Sequence, residues 1–361
     1  MLNKILKYGC MELAYKNRQF LSQKPILYNL FWETTLRCNA RCKHCGSRAG
    51  ENSNIVDNEL STNEIKKVFS DIAQKYDPRK ILVSVTGGEP LIRNDVFEVM
   101  QYANSLGFKW GMTTNGMLIN DNVISNMKSS GMSTISISLD GLEETHNEFR
   151  QVHNGYNQVI DAVKKLKEAN FLNVLQITTV ITKSSINELD KLYEIISDLN
   201  ITSWRIVNMD PIGRALDNAN ILLSKEEYIK LFDFIKSKRK KAKFDITYGC
   251  SHFLGFDYEQ EVRQNPFFCA SGYTTASILY NGDIYVCPNV ERKKELIQGN
   301  VKQDNFVDIW ENGFKWFRDD NNRSCNKCKN CEDWKYCKGD ALHTWDFEKN
   351  EPKICFKEIL K

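Results

Sequence analysis

Six short runs of β-branched and aromatic residues recur from residue 26 to about 208, and between them the apolar residues fall at helical spacing. The runs are Ile26 to Glu33, Lys80 to Val85, Lys109 to Thr113, Thr134 to Leu139, Val174 to Val180 and Ser203 to Val207. Strand and helix in strict alternation is the pattern of βα units, whose crossovers are right-handed and build one parallel sheet. Between the strands, Thr62 to Tyr76 reads as a helix capped by Ser61 or Thr62, and Tyr156 to Ala169 as one with Val159, Ile160, Val163 and Leu166 on a single face. The fold class is therefore α/β, with a partial (β/α)6 TIM barrel over residues 26–243. Lys225 to Lys243 reads as its last helix, ending in a charged tail.

Residues 1–25 read as a helical extension of mixed charge without the apolar core of a signal peptide. After residue 243 periodicity weakens and eight of the twelve cysteines lie between Cys250 and Cys355, which marks a small cysteine-rich α+β domain over 244–361. Cysteines in this number without a secretory signal point to a reducing cytoplasm and to metal binding rather than disulfides. A net charge of +3 selects no partner. The basic run Lys236 to Lys243 reads as a solvated helix end, so nucleic acid is not expected, and no segment has the length of apolar residues that a membrane span requires.

In a barrel of this kind chemistry gathers at the carboxyl ends of the strands. Cys38, Cys42 and Cys45 follow the first strand, Gly87-Gly88-Glu89-Pro90 the second, Asn115-Gly116 the third, Asp140-Gly141 the fourth and Asp210-Pro-Ile-Gly-Arg-Ala215 the sixth. Three thiolates spaced Cys-x3-Cys-x2-Cys can hold three irons of a cubane cluster and leave the fourth open. A zinc site is the alternative, with His44 as fourth ligand.

The cysteine loop, with His44 before its last cysteine, resembles the signature of the radical S-adenosylmethionine (SAM) enzymes. That resemblance implies a 4Fe-4S cluster whose open iron chelates SAM, and reductive cleavage of SAM to a 5'-deoxyadenosyl radical that takes hydrogen from a substrate. It implies that Gly87, Gly88 and Glu89 meet the amino group of SAM, and that Ser138 and Arg150 contact its ribose and carboxylate. Asn115 and Asp140 fit turn formers as well as ligands, Thr178 is a further candidate, and Arg205 and Arg214 fit either cofactor or substrate contacts or structural ion pairs. The resemblance leaves the residue acting directly on the substrate unassigned.

Cys269, Gly282 and Cys287, then Cys328-x2-Cys331-x5-Cys337 and Cys355, resemble the SPASM extension of peptide-modifying radical enzymes, which holds auxiliary 4Fe-4S clusters. Asn281-Gly282 reads as a hairpin turn. By position Cys328, Cys331, Cys337 and Cys355 complete one closed cluster. The other has Cys269 and Cys287 as its firm pair, because Ala341 stands where the family usually has a cysteine; Cys250, Cys325, Asp340 or His343 can supply the rest, Cys250 being preferred. A zinc ribbon is the alternative for Cys325 to Cys337, and Cys10 reads as a free thiol. One or two auxiliary clusters are thus expected.

The resemblance implies a peptide or protein substrate, recognised through a separate leader-binding protein or held by the barrel alone, and reduced flavodoxin or ferredoxin as electron donor. Pro288 stands where sulfatase maturases carry an aspartate, which disfavours that substrate. The alternatives are a small-molecule radical oxidoreductase acting on a tetrapyrrole or cofactor precursor, and an iron-sulfur protein without catalysis.

Overall fold

The computed structural model describes residues 2–51, 58–249 and 252–360. Cys250, the preferred extra ligand, lies outside the described residues. Ten strands form one sheet: β1 Asn29–Glu33, β2 Leu82–Thr86, β3 Lys109–Thr114, β4 Thr134–Ser138, β5 Val174–Ile181, β6 Ser203–Asn208, β7 Asp245–Tyr248, β8 Thr275–Ile278, β9 Asp283–Tyr285 and β10 Gly299–Asn300. Their spatial order is β10-β9-β8-β1-β2-β3-β4-β5-β6-β7. Strands β1 to β7 are parallel to one another, β8 joins parallel to β1, and β9 and β10 add antiparallel hairpin strands.

All six expected strands are present, and a seventh, β7, follows them. The expectation of six is corrected for a physical reason: Asp245–Tyr248 is too short to show a period, and its pairing with β6 is what makes it a strand. The sheet consequently runs on through the 243/244 division, continuing on one edge as β7 and on the other as β8. The first strand starts at Asn29 rather than Ile26 because the Ile26 and Tyr28 N–H groups donate to the carbonyls of Tyr273 and Thr274, just ahead of β8.

The helices are α1 Leu2–Gln23, α2 Thr62–Lys75, α3 Val96–Ser105, α4 Asp121–Ser129, α5 Glu143–Arg150, α6 Gly155–Ala169, α7 Leu189–Asp198, α8 Lys225–Arg239 and α9 Gly255–Val262. Ser61, not Thr62, caps α2, in a capping box with Glu64. Helix α8 stops at Arg239, short of Lys243, since the chain must turn there to bring Phe244 against Tyr193 (5.9 Å between centroids) and enter β7. At Asn281-Gly282 the expected turn joins β8 to β9, with Gly282 at φ +95°.

Alternation along the strands divides the sheet into two faces. Leu30 and Trp32, Val83 and Val85, Trp110 and Met112, Ile135 and Ile137, Ile177, Trp204, Ile206 and Ile246 are buried in the hydrophobic core. The other face is polar and only half-buried: Ser84, Thr86, Ser136, Gln176, Thr178, Arg205 and Thr247. Hydroxyl contacts knit this inner wall, with Ser84 Oγ donating to Asn29 Oδ1 at 2.8 Å and the Ser136 and Thr178 hydroxyls 2.7 Å apart.

Candidate active site

Two loops make the site, and their backbones hold each other. Following β1, the loop carries Cys38, Cys42 and Cys45; following β2, it carries Gly87-Gly88-Glu89. The Gly88 N–H donates to the Thr35 carbonyl at 2.7 Å and the Glu89 N–H to that of Arg37 at 2.9 Å. A Cβ on Gly87 would lie 2.7 Å from the Thr35 oxygen, and one on Gly88 only 2.2 Å from the Arg37 oxygen. Glycine is required here by close approach of two chains.

A third segment clamps the cysteine loop from the far side. Arg214, after β6, donates through Nε to the Cys42 carbonyl and through Nη1 to the Ala49 carbonyl, both at 2.9 Å, and its own N–H reaches the Cys45 carbonyl at 3.0 Å. Gly213, at φ +55°, has no room for a Cβ beside that carbonyl. Arg214 also bonds Glu51, and it borders the cavity between the loops.

The loops enclose a cavity of about 230 Å³ bordered by Cys38, Cys42, Cys45, Gly87, Gly88, Asn115, Ser138 and Arg150. Glu89 does not border it. Its buried carboxylate accepts from Thr114 Oγ1 and the Asn115 N–H, each at 2.8 Å, and from the Leu91 N–H at 3.2 Å. Burial raises its pKa against those hydrogen bonds. Glu89 therefore ties the β2 and β3 loops together, with three donors on its two oxygens. Asn115 combines its two readings, lining the cavity while its Nδ2 donates to Asn39 Oδ1 at 2.7 Å and its Oδ1 accepts from the Met117 N–H.

Arg150 is buried and donates through Nε to Asp140 Oδ2 at 2.6 Å, with Nη1 3.7 Å from Cys42 Sγ. Burial opposes its charge, but Asp140 and the cysteines hold its pKa above the usual arginine value. Asp140 is itself fixed by the Val180 N–H at 2.8 Å, so it aims Arg150 rather than facing the cavity. His44 stacks on Phe149 with centroids 4.7 Å apart, and among the described residues its sealed Nδ1 has no hydrogen-bond partner. Burial pushes its pKa down to about 4.

Cys38 and Cys42 resist ionisation here. Burial, then Cys42, Glu89 and Cys45, push Cys38 up to about 11, and burial raises Cys42 despite Arg150. Cys42 is buried and Cys38 and Cys45 half-buried, and a bound cation reverses the cost of ionising thiols so placed. Residues 32–196 match the radical SAM superfamily model and residues 269–332 match that of the SPASM iron-sulfur cluster-binding domain. The chain is a radical SAM enzyme with a SPASM domain.

Radical SAM enzymes use SAM and a 4Fe-4S cluster, and SPASM domains bind auxiliary iron-sulfur clusters. This radical SAM chain is 26% identical to the AdoMet-dependent heme synthase of Methanosarcina barkeri, over 90% of its own length and 95% of that protein's. It is 27% identical to the mycofactocin maturase MftC of Mycobacterium tuberculosis, over 87% of its length and 78% of that protein's. Among solved structures, Streptococcus suis SuiB bound to S-adenosylmethionine superposes with a TM-score of 0.69 at 20% identity, covering 87% of this chain and 73% of that one. The structure of anSMEcpe with bound AdoMet and the Cp18Cys peptide gives 0.71 at 18%, covering 92% and 94%. These superpositions carry the fold.

In the SPASM region Cys328, Cys331, Cys337 and Cys355 border one cavity of about 370 Å³, and Cys325 helps to raise the pKa of Cys328. Burial lifts the thiols of Cys328, Cys337 and Cys355, again a donor set that suits a cation. Cys269 is buried elsewhere, its Sγ accepting from the Leu342 N–H at 3.4 Å, and Ala341 beside it is wholly buried. Cys10 is exposed on α1.

Asp340 and His343 do not stand free as ligands. Asp340 Oδ2 meets His252 Nδ1 at 2.6 Å, His252 Nε2 meets Asp210 Oδ1 at 2.8 Å, and His343 Nε2 meets Asp210 Oδ2 at 3.0 Å. This buried chain joins the end of β6 to the SPASM region. Asp210, Asp340 and His343 stand out in the sequence by strand end or cysteine spacing, but their meeting does not, and nothing in the local pattern marks His252.

Proposed function

We propose that this enzyme abstracts a hydrogen atom from a peptide or protein substrate held over the carboxyl edge of its barrel, with Cys38, Cys42 and Cys45 holding the SAM-binding cluster. The observation that carries the reading is the shared cavity, where those cysteines, the Gly87-Gly88 backbone, Ser138 and Arg150 meet. Bound SAM and its cluster supply a 5'-deoxyadenosyl radical when an electron is delivered. The chain's own residues position that cofactor: the Gly87-Gly88 edge admits its amino group, Ser138 and Asn115 offer hydroxyl and amide contacts, and Arg150 offers a cation braced by Asp140. Cys328, Cys331, Cys337 and Cys355 form the closed auxiliary set, and Cys269 and Cys287 contribute to a second only if a further ligand joins them.

The polar inner wall supports the peptide reading, since hydroxyls and the Gln176 amide suit a hydrogen-bonding chain better than a flat apolar macrocycle. A tetrapyrrole is the second reading, supported by likeness to heme synthases over nearly the full length of both chains. Anaerobic reconstitution with dithionite and SAM tests the core of the proposal. Wild type is expected to form 5'-deoxyadenosine, Cys42→Ala to form at least 100-fold less, and Cys331→Ala to retain part; equal yields from wild type and Cys42→Ala would end it.

A further inference from the structure

Resting on that reading, we infer that the substrate carries a carboxylate and that Arg205 receives it inside the barrel. Arg205 lies on β6 between Trp204 and Ile206, which are buried in the core, so alternation turns its side chain to the polar inner face. In register it stands beside Thr178 of β5 on one side and Thr247 of β7 on the other, and Thr178 in turn stands beside Ser138 of β4. Arg205 thus occupies the same level of the barrel as Ser138, two strands or about 10 Å away. Ser138 borders the cofactor cavity.

What sets Arg205 apart is its missing counter-ion. Every other buried or half-buried arginine of the site is engaged: Arg150 by Asp140, Arg214 by Glu51 and three carbonyls including its backbone contact, Arg292 by Glu33. Among the described residues Arg205 has neither a carboxylate nor a hydrogen-bond acceptor, and its Nε is sealed from solvent without a partner. A guanidinium left unpaired within a protein costs stability, and a chain that carries such a cost commonly does so at a working site. The planar fork fits a carboxylate in two parallel hydrogen bonds, and the neighbouring threonines can donate to the same oxygens. An acidic side chain of a peptide and a propionate of a tetrapyrrole present that same group.

The experiment uses the reconstituted holoenzyme with SAM and two matched probe pairs read by fluorescence: dansyl-Gly-Glu-Gly-amide against dansyl-Gly-Gln-Gly-amide, both amidated at the C-terminus, and coproporphyrin III against its tetramethyl ester. We expect the carboxylate member of one pair to bind at least tenfold more tightly than its neutral twin, and the pair that responds identifies the source. Arg205→Gln should abolish that preference and Arg205→Lys should retain part of it, with the circular dichroism spectrum of each variant reporting its fold. No preference in either pair, or the same preference in Arg205→Gln, overturns the assignment. So does a loss of SAM affinity in Arg205→Gln without loss of probe preference, which would make Arg205 a cofactor contact. Failure of the wild type to form 5'-deoxyadenosine would instead strike the radical reading, independently of these affinities.

Discussion

A Cβ at position 88 would sit 2.2 Å from the Arg37 carbonyl oxygen, so Gly88→Ala has to part the loops after β1 and β2. Forced overpacking of this kind costs about 1–3 kcal/mol, and urea unfolding of the variant should show it together with weaker SAM binding. Asp140 makes a second case. Replacing it by Asn leaves the buried Arg150 charge without its partner, a loss on the order of 3–5 kcal/mol for a buried pair. The double variant Asp140→Asn, Arg150→Met should recover part of that loss, and strictly additive costs in the cycle would show the pair to be uncoupled. Glu89 and Asp140, which brace the cavity's lining, were legible as neighbours of the site from their place at strand ends. Their roles were not, because which donor meets which oxygen depends on loops 25 to 40 residues apart closing on one another.

At the scale of elements, α1 is held by Glu12, which accepts from Lys335 and Tyr336, by the buried Met11 and Leu21, and by Arg18. Arg18 is buried, donates through Nε to Asp320 Oδ1 at 2.9 Å and lies over the rings of Phe268 and Tyr273. Asp320→Asn should loosen the helix at a cost of about 1–3 kcal/mol, and limited proteolysis should then cut within residues 2–23 faster than in wild type; unchanged cleavage would show that the other contacts suffice. Strands β1 to β6 were readable because each is a β-branched or aromatic run beside a helix of clear period. β7 was not, being four residues after a run of lysines, and β8 was readable as half of a hairpin but not as the parallel neighbour of β1. Pairing partners hundreds of residues apart leave no trace in local pattern. The same holds for His252 and Asp340, 88 residues apart and 2.6 Å distant.

Across the whole molecule, regular structure is unevenly spread. From Asn326 to Ile359 the chain offers only short helices and a two-stranded ribbon, gathered around four cysteines, whereas β1 to β7 share a continuous apolar core. Removing iron by chelation should therefore strip hydrogen-exchange protection from residues 325–355 first and spare β2 to β6, since a bound metal supplies on the order of 10 kcal/mol of folding free energy to a small site. Uniform loss of protection would mean that the two regions fold as one cooperative unit. The pairing of β8 with β1 also sets a timetable for synthesis. Asn29–Glu33 leaves the ribosome early, yet the strand that covers its outer edge, Thr275–Ile278, arrives about 250 residues later, on the order of ten seconds or more at ordinary translation rates. For that interval the nascent chain carries an open edge beside its cysteine loop, a template for the wrong neighbour until its own carboxyl-terminal half arrives.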